Sequence, residues 1–440
     1  MNDLLFARAQ MGLSLAFHII FATVGIGMPV LMAIAEGLYL RRGKPVYLEL
    51  AKRWAKGTAI LFAVGAVSGT VLSFELGLLW PKFMGHAGAV IGMPFSLEGF
   101  AFFTEAIFLG LFLYGWNRIP PLAHWLAGVL VALSGIFSGI FVVTANAWMN
   151  TPTGFTLVNG EFTNIQPIAA MLNPAAFHEV LHMTFAAFVA TGFMVAGIHA
   201  FFLLRDPTNE FHGAAFRIGS ALGCLCIPLQ ILTGDLAARR VAVQQPAKLA
   251  AMEAHYHTQR GAPLIIGGIP DDEKRTTKFG LEVPYGLSLL VGHSIETEVP
   301  GLDQVPREEW PNVRLVHWSF DVMVGCGMIM LAVASWAGIT LWRKRRLTES
   351  KRLLYAFIIA GPMGFIAIEA GWMVTELGRQ PWIIYHVLRT SEAVTPMPGL
   401  VVPFTLFTVV YLFLSVALVF LLRRQFIETA PRKMEQRYAP

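Results

Sequence analysis

Long apolar runs broken by short polar connections dominate the chain. Crossing a ~30 Å hydrocarbon layer takes about 20 apolar residues. Stretches of that kind lie near residues 12–38, 54–79, 95–116, 124–148, 176–203, 216–236, 317–341, 353–377 and 400–422, nine in all. The pattern predicts an all-α integral membrane protein. Between 237 and 316 it changes to charge, Pro and Gly with no apolar run of spanning length, which predicts an extramembrane segment. The expected organisation is therefore helices one to six over 1–236, an outer loop over 237–316, and helices seven to nine with a tail over 317–440. The first apolar run is too long for a removable signal peptide and lacks a small-residue cleavage site after a short core, so it is expected to stay as the first helix.

Composition strengthens this reading. The chain has 440 residues, 55% hydrophobic and 14% charged, against roughly 45–50% and ~25% in ordinary soluble proteins. A soluble monomer and a disordered chain are excluded. The three cysteines, Cys224, Cys226 and Cys326, form neither a CxxC pair nor a CxxCH attachment site, so any cofactor is held non-covalently. Lys and Arg mark the cytoplasmic loops of membrane proteins. The connections after spans one, three, five, seven and nine hold 6, 1, 2, 6 and 5 basic residues, the last set being the tail from Arg423. The short segments on the other side hold four, Arg8, Lys82, Arg379 and Arg389. This predicts an outer N-terminus, a cytoplasmic C-terminus and an outer 237–316 loop. The net charge of +5 fits anchoring at acidic lipid heads, with no nucleic-acid partner.

Ionisable side chains at membrane depth are costly unless paired or liganded, and each marks a functional hypothesis. The spans contain His18, Glu75, Glu98, Glu105, His182, His199, Asp321, Glu369 and Glu376. Glu98 and Glu105, like Glu369 and Glu376, are seven residues apart, two helical turns or about 10 Å along one face. With odd spans running inward, His18, Glu98, His182 and Met323 stand near helix starts and Glu376 near a helix end, all in the outer third. His and Met are axial ligands of haem iron, and a lone His or a carboxylate suits a haem with one open face. A single intramembrane His also serves as a hydrogen-bonding group between helices, and Met as filler; convergence at one depth favours haem. In the outer segment, KLAAME places Lys248 and Glu253 on a short amphipathic helix ahead of His255, Tyr256 and His257. A solvated surface pair is one reading, and a membrane-edge site that binds a quinol and takes its protons is the other.

Seven stretches carry a family resemblance over essentially the whole chain: RAQMGLSLAFHIIF from Arg8, SFELGLLW from Ser73, EGFAFFTEAIFLGLFLYGW from Glu98, ANAWMNTP from Ala145, KLAAMEAHYHT from Lys248, HWSFDVMVG from His317 and IEAGWMVTELGRQPW from Ile368. Together and in order they resemble subunit I of the cytochrome bd family of quinol oxidases, in its short quinol-loop form. The resemblance implies two haem b and one haem d, or haem b in place of d as in the cyanide-insensitive branch. His182 and Met323 match the axial pair of the low-spin haem, and His18 and Glu376 the ligands of the two high-spin haems, with the assignment between those two left open. Glu98 and Glu105 match the catalytic carboxylates at the oxygen site and on the proton path, Trp372 and Arg379 the haem surroundings, and Lys248 and Glu253 the quinol pair.

One departure stands out. Where the family commonly has an arginine two residues before the methionine ligand, beside haem propionates, this chain has Asp321. An acid there cannot neutralise a propionate and would disfavour the reduced haem. The implied activity is quinol oxidation at the outer side and oxygen reduction to water, with protons drawn from the cytoplasm and no pumping. Implied partners are subunit II, a small single-span subunit, ubiquinol or menaquinol, oxygen and membrane lipid of the bacterial inner membrane. Two competitors remain. One is a proton-coupled transporter, which would favour repeated halves and broken helices; the hydropathy layout shows no repeat, and Pro falls mainly at span ends. The other is a haem subunit that only relays electrons.

Overall fold

The computed structural model describes residues 2–429; the basic residues Arg432, Lys433 and Arg437 counted in the tail lie outside them. Among the described residues, nine helical segments are long and apolar enough to cross a membrane. Lipid leaves no partner for unpaired backbone groups, and helices satisfy them internally. The helices are α1 (Asn2–Arg42), α2 (Pro45–Leu79), α3 (Pro81–Tyr114), α4 (Pro121–Asn150), α5 (Pro167–Met171), α6 (Ala176–Arg205), α7 (Glu210–Gln244), α8 (Pro246–Met252), α9 (Gly286–Gly292), α10 (Val313–Trp342), α11 (Lys351–Ala360), α12 (Met363–Gly378), α13 (Thr390–Ala393) and α14 (Val401–Thr429). Proline opens α2, α3, α4 and α8 at a position whose N–H needs no helical partner. Asn209, Asn312 and Ser350 cap α7, α10 and α11 by accepting backbone N–H groups.

The hydropathy pattern marks the lipid-crossing part of each helix and misses how far several extend beyond it. α1 begins at Asn2, and α3 begins at Pro81 rather than near 95. The segment around Lys82 is thus helix, and α2 and α3 meet at a single residue, Trp80. These extensions bury Leu79, Trp80, Phe83 and Ile91 together with Trp148 of α4. His18 and Glu98 therefore lie well inside their helices instead of near the start.

The eighth span is broken. α11 ends at Ala360, Gly361 and Pro362 form a turn, and α12 resumes at Met363. Prolines 29, 94 and 228 stand inside α1, α3 and α7, exceptions to the expectation that Pro falls mainly at span ends. Neighbouring helices make such interruptions tolerable at membrane depth. The break lets α11 and α12 lie tightly on α6. A Cβ on Gly364 would fall 2.4 Å from the Ala190 Cα, and one on Gly197 2.8 Å from the Phe357 carbonyl. Phe193, Phe216, Met330 and Phe357 fill the core where α6, α7, α10 and α11 meet. By contrast, α14 leaves Leu406, Phe413, Val416 and Phe420 exposed, as a lipid- or subunit-facing helix does.

The segment after α7 starts at Gln245, because α7 runs on past residue 237. It holds α8, α9 and short antiparallel ladders: Gln259–Arg260 with Glu298–Val299, Leu264–Ile266 with Leu281–Val283, and Ile269–Asp271 with Thr276–Lys278. None of it is of spanning character.

Candidate functional site

His18 on α1 faces α2. Its Nδ1 is 2.9 Å from the Ser68 hydroxyl, which itself donates to the Gly65 carbonyl at 3.0 Å. The hydroxyl therefore accepts the Nδ1–H and leaves Nε2 with its lone pair, the arrangement a metal-ligating histidine needs. A Cβ at Gly69 would approach the ring carbon Cε1 to 2.9 Å, so the glycine makes the place for the imidazole. His182 on α6 is built alike. Its Nδ1 is 3.3 Å from the Thr233 hydroxyl, which donates to the Gln230 carbonyl, and a Cβ at Gly234 would come within 3.2 Å of the ring. The Gln230 amide nitrogen stands 3.1 Å from His182 Nε2.

Met323 on α10 presses its sulfur toward α12, where a Cβ at Gly371 would lie 3.0 Å from it. The next residue, Trp372, packs against a cluster of Ile19 of α1, Ala190 of α6 and Ile368 of α12. It thereby joins the helices that carry His18 and His182.

Glu376, near the end of α12, accepts from Asn146 Nδ2 at 2.6 Å and pairs with the buried guanidinium of Arg379. Arg379 Nη1 also donates to Asn150 Oδ1 at 3.0 Å. The same oxygen accepts from Lys248 Nζ at 3.0 Å, while Asn150 Nδ2 donates to Glu179 at 3.0 Å. Gln245 adds a bond to the Asn150 carbonyl. One asparagine side chain thus ties a loop lysine to a carboxylate at membrane depth. Asn146, Asn150, Glu179, Gln245, Ser68 and Ser138 escaped the sequence reading, being uncharged or, for Glu179, standing at a span edge; the ANAWMNTP stretch was the available signal.

Lys248 and Glu253 are both buried, 4% and 2% exposed, which overturns the solvated surface pair. They do not bond each other. Burial, with Arg379 alongside, pulls the Lys248 ammonium below its ordinary value. Burial, reinforced by the Asp321 carboxylate, pushes Glu253 up to about 8. Glu98 accepts from Ser138 of α4 at 3.1 Å. Glu105, 5% exposed, sits where α1 crosses α4, beside Gly25 and Gly135. Three of the remaining intramembrane groups, Glu75, His199 and Asp321, have structural partners, and Glu369 has none among the described residues. Glu75 accepts from Gln10 and Ser14, tying α2 to α1, and His199 pairs with His212.

A family model described as cytochrome bd terminal oxidase subunit I matches residues 6–430. The chain belongs to this family. It is 37% identical over 428 residues to a putative cytochrome bd menaquinol oxidase subunit I of Bacillus subtilis, covering 96% of each chain. It is 34% identical to a cytochrome bd ubiquinol oxidase subunit 1 of the same organism, covering 97% of this chain and 94% of the relative. A solved bd oxidase chain of Geobacillus thermodenitrificans superposes with a TM-score of 0.91 at 38% identity, covering 97% of this chain and 99% of that one. These findings give no support to a transporter.

Cytochromes of this family hold haem, and the donor set of this bd-type subunit I fits it. Each candidate iron ligand is half-buried. Buried Trp372 Nε1, Arg379 Nε, Glu369 Oε1 and Gln230 Oε1 have no protein partner among the described residues. The Trp372 and Arg379 nitrogens are donors, costly to leave unpaired, and porphyrin carboxylates would take them, whereas the Glu369 and Gln230 oxygens are acceptors that a carboxylate cannot serve. Replacing His182 with Ala is expected to abolish a low-spin b-type absorption band while the chain still inserts; a reduced-minus-oxidised spectrum unchanged from wild type would refute the ligand role.

Proposed function

We propose that this chain oxidises membrane quinol at Lys248 and Glu253 on the outer side and supplies the haem site where oxygen becomes water. The observation that carries the reading is the Lys248–Asn150–Arg379–Glu376 chain of contacts, which joins the loop to a residue of the haem region. His182 and Met323 would hold a low-spin haem b, and His18 and Glu376 a high-spin haem b and a haem d, or haem b in its place. Bound haems supply one-electron transfer and the reduction of oxygen.

The protein's own groups handle position and protons. Lys248 offers its ammonium to a quinol oxygen, and ionised Glu253 accepts the quinol proton and passes it outward. Glu105 receives protons from the cytoplasmic side and hands them along α3 to Glu98, so charge is separated without pumping. The N-terminus is assigned to the outside and the 245–312 segment to the quinol loop. Subunit II and a small single-span subunit complete the enzyme in the bacterial inner membrane, against the exposed faces of helices such as α14. Quinol-dependent oxygen uptake by the purified complex, with pyridine haemochrome analysis, tests the reading; no haem or no uptake overturns it.

Two smaller effects follow. Because Glu253 must be ionised to accept a proton, kcat/KM for quinol is expected to rise with pH through about 8, and Glu253→Gln to lose that limb. The same group stabilises the fold fully below its ordinary value of 4.5 and loses that contribution as pH rises toward about 8, because the folded state binds the extra proton in that window. Asn150→Ala leaves Lys248 and Arg379 without their shared acceptor, and two charge-assisted bonds are worth about a hundredfold in kcat/KM; oxygen-uptake kinetics check this.

A further inference from the structure

We propose that Asp321, together with His317, is a latch that holds the turn of the quinol loop on α10. Asp321 is thus a positioning residue for the quinol site, at the place where the family commonly carries a propionate-binding arginine. His317 is fully buried. Its Nδ1 is 2.7 Å from the carbonyl of Met252, the residue before Glu253. Its Nε2 is 2.9 Å from the Gly267 carbonyl and 3.3 Å from Asp321 Oδ2. Both ring nitrogens face oxygen atoms. Asp321 Oδ2 accepts the Gly267 N–H at 3.0 Å, and Trp318 Nε1 donates to the Gly268 carbonyl at 2.8 Å.

Residues 317, 318 and 321 therefore grip the backbone of two consecutive glycines. Those glycines have no side chains by which to anchor themselves. Gly267 and Gly268 have φ of +68° and +94°, and a Cβ on Gly268 would fall 2.8 Å from the Gly280 nitrogen and the Lys278 carbonyl. Gly268 has no room for a side chain, and the helix holds the turn through main-chain groups. A carboxylate is the right partner for an N–H and an imidazole N–H together. An arginine there would meet donors with donors.

The latch also reaches the quinol site. His317 fixes the main chain just before Glu253, and Glu253 Oε1, buried with no protein partner, lies in the field of Asp321. The acid at 321 thus serves the loop, and its Oδ2 is turned to Gly267 instead of a haem carboxylate.

This inference rests on the quinol reading of Lys248 and Glu253, and the experiment separates the two. In the purified complex, Asp321→Ala is expected to raise the quinol KM about tenfold with kcat within about twofold, the cost of a lost charge-assisted hydrogen bond. Amide exchange over 264–283 should quicken and the midpoint potential of the low-spin haem stay at its wild-type value. Asp321→Asn keeps an acceptor oxygen and should restore most of the affinity. Wild-type KM and exchange in Asp321→Ala, or a shifted potential with unchanged KM, would overturn the latch. Should Asp321→Ala fail to assemble, Trp318→Phe removes only the Gly268 bond and is expected to raise KM about threefold; an unchanged KM there also overturns it. Unaltered quinol oxidation in Lys248→Ala would sink the quinol reading itself, whereas a Lys248 defect beside a wild-type Asp321→Ala sinks only the latch.

Discussion

His18→Ala and Glu376→Ala proteins are each expected to lose oxygen consumption by about a hundredfold or more, the scale seen when a metal ligand or its orienting partner is removed. Both should still insert and keep a low-spin b band. The reasoning starts from how each donor is prepared. His18 has its Nδ1–H committed to Ser68, whose own proton goes to Gly65, so no other function of the ring uses Nε2. Gly69 leaves room for the ring, because a Cβ there would come 2.9 Å from its Cε1. Glu376 is oriented by Asn146 on one oxygen and Arg379 on the other. Truncating Glu376 also strands Arg379, which is 1% exposed, and a buried unpaired charge costs about 3–5 kcal/mol. Glu376→Gln keeps a hydrogen-bond acceptor for Arg379 and so separates loss of a ligand from loss of folding. Turnover retained in both His18→Ala and Glu376→Gln, with unchanged high-spin absorption, would refute the assignment. A Ser68→Ala protein provides the graded test. It removes only the orienting hydroxyl, and a loss of about tenfold to a hundredfold is expected.

How much of this was legible beforehand follows from what each signal is made of. Hydropathy reports the apolar length that matches lipid, so the number of spans could be read and the helix ends could not. Pro81 to Pro94 is helix although Lys82, His86 and three glycines dilute its hydropathy. The turn at Gly361–Pro362 lies within an unbroken apolar run, so averaging hid it. Charge is conspicuous against an apolar background, which is why His18, His182, Glu98, Glu105 and Glu376 could be singled out one by one. Asn150 is uncharged and carries no such flag, yet it holds both buried cations of the site. Lys248 and Glu253 looked like an amphipathic pair because their spacing shows only that they share a short helix. What they face comes from α4, α10 and α12, distant in sequence. Asp321 is a related case. Position beside Met323 implied a haem neighbour, while the side chain turns to a loop residue more than fifty positions earlier.

The last expectation concerns protons. Glu98 and Glu105 both face α4, the first bonded to Ser138 and the second set beside Gly135, so the two carboxyls and the hydroxyl mark one seam between α3 and α4. Seven residues separate the acids, about 10 Å along the helix. Glu105 has no side-chain hydrogen-bond partner among the described residues. Its surroundings are instead two glycines, and a Cβ on Gly135 would come 2.9 Å from the Gly25 carbonyl and 3.4 Å from Glu105 Oε2. A carboxyl that merely tied helices together would have a donor waiting for it, as Glu75 has in Gln10 and Ser14. Space without a fixed partner suits a group that gains and gives up a proton. Glu105→Gln keeps the size and hydrogen bonding of the side chain and removes the exchangeable proton. Steady oxygen turnover is therefore expected to fall by about two orders of magnitude or more, general acid–base transfer being worth about that much. Haem reduction by quinol should persist. Ser138→Ala, which leaves both acids, should cost about tenfold or less if water can bridge the gap. Flash-initiated oxygen reduction in membranes of known orientation decides the matter: arrested proton uptake from the inner side with intact haem reduction supports the route, and normal uptake in Glu105→Gln removes it.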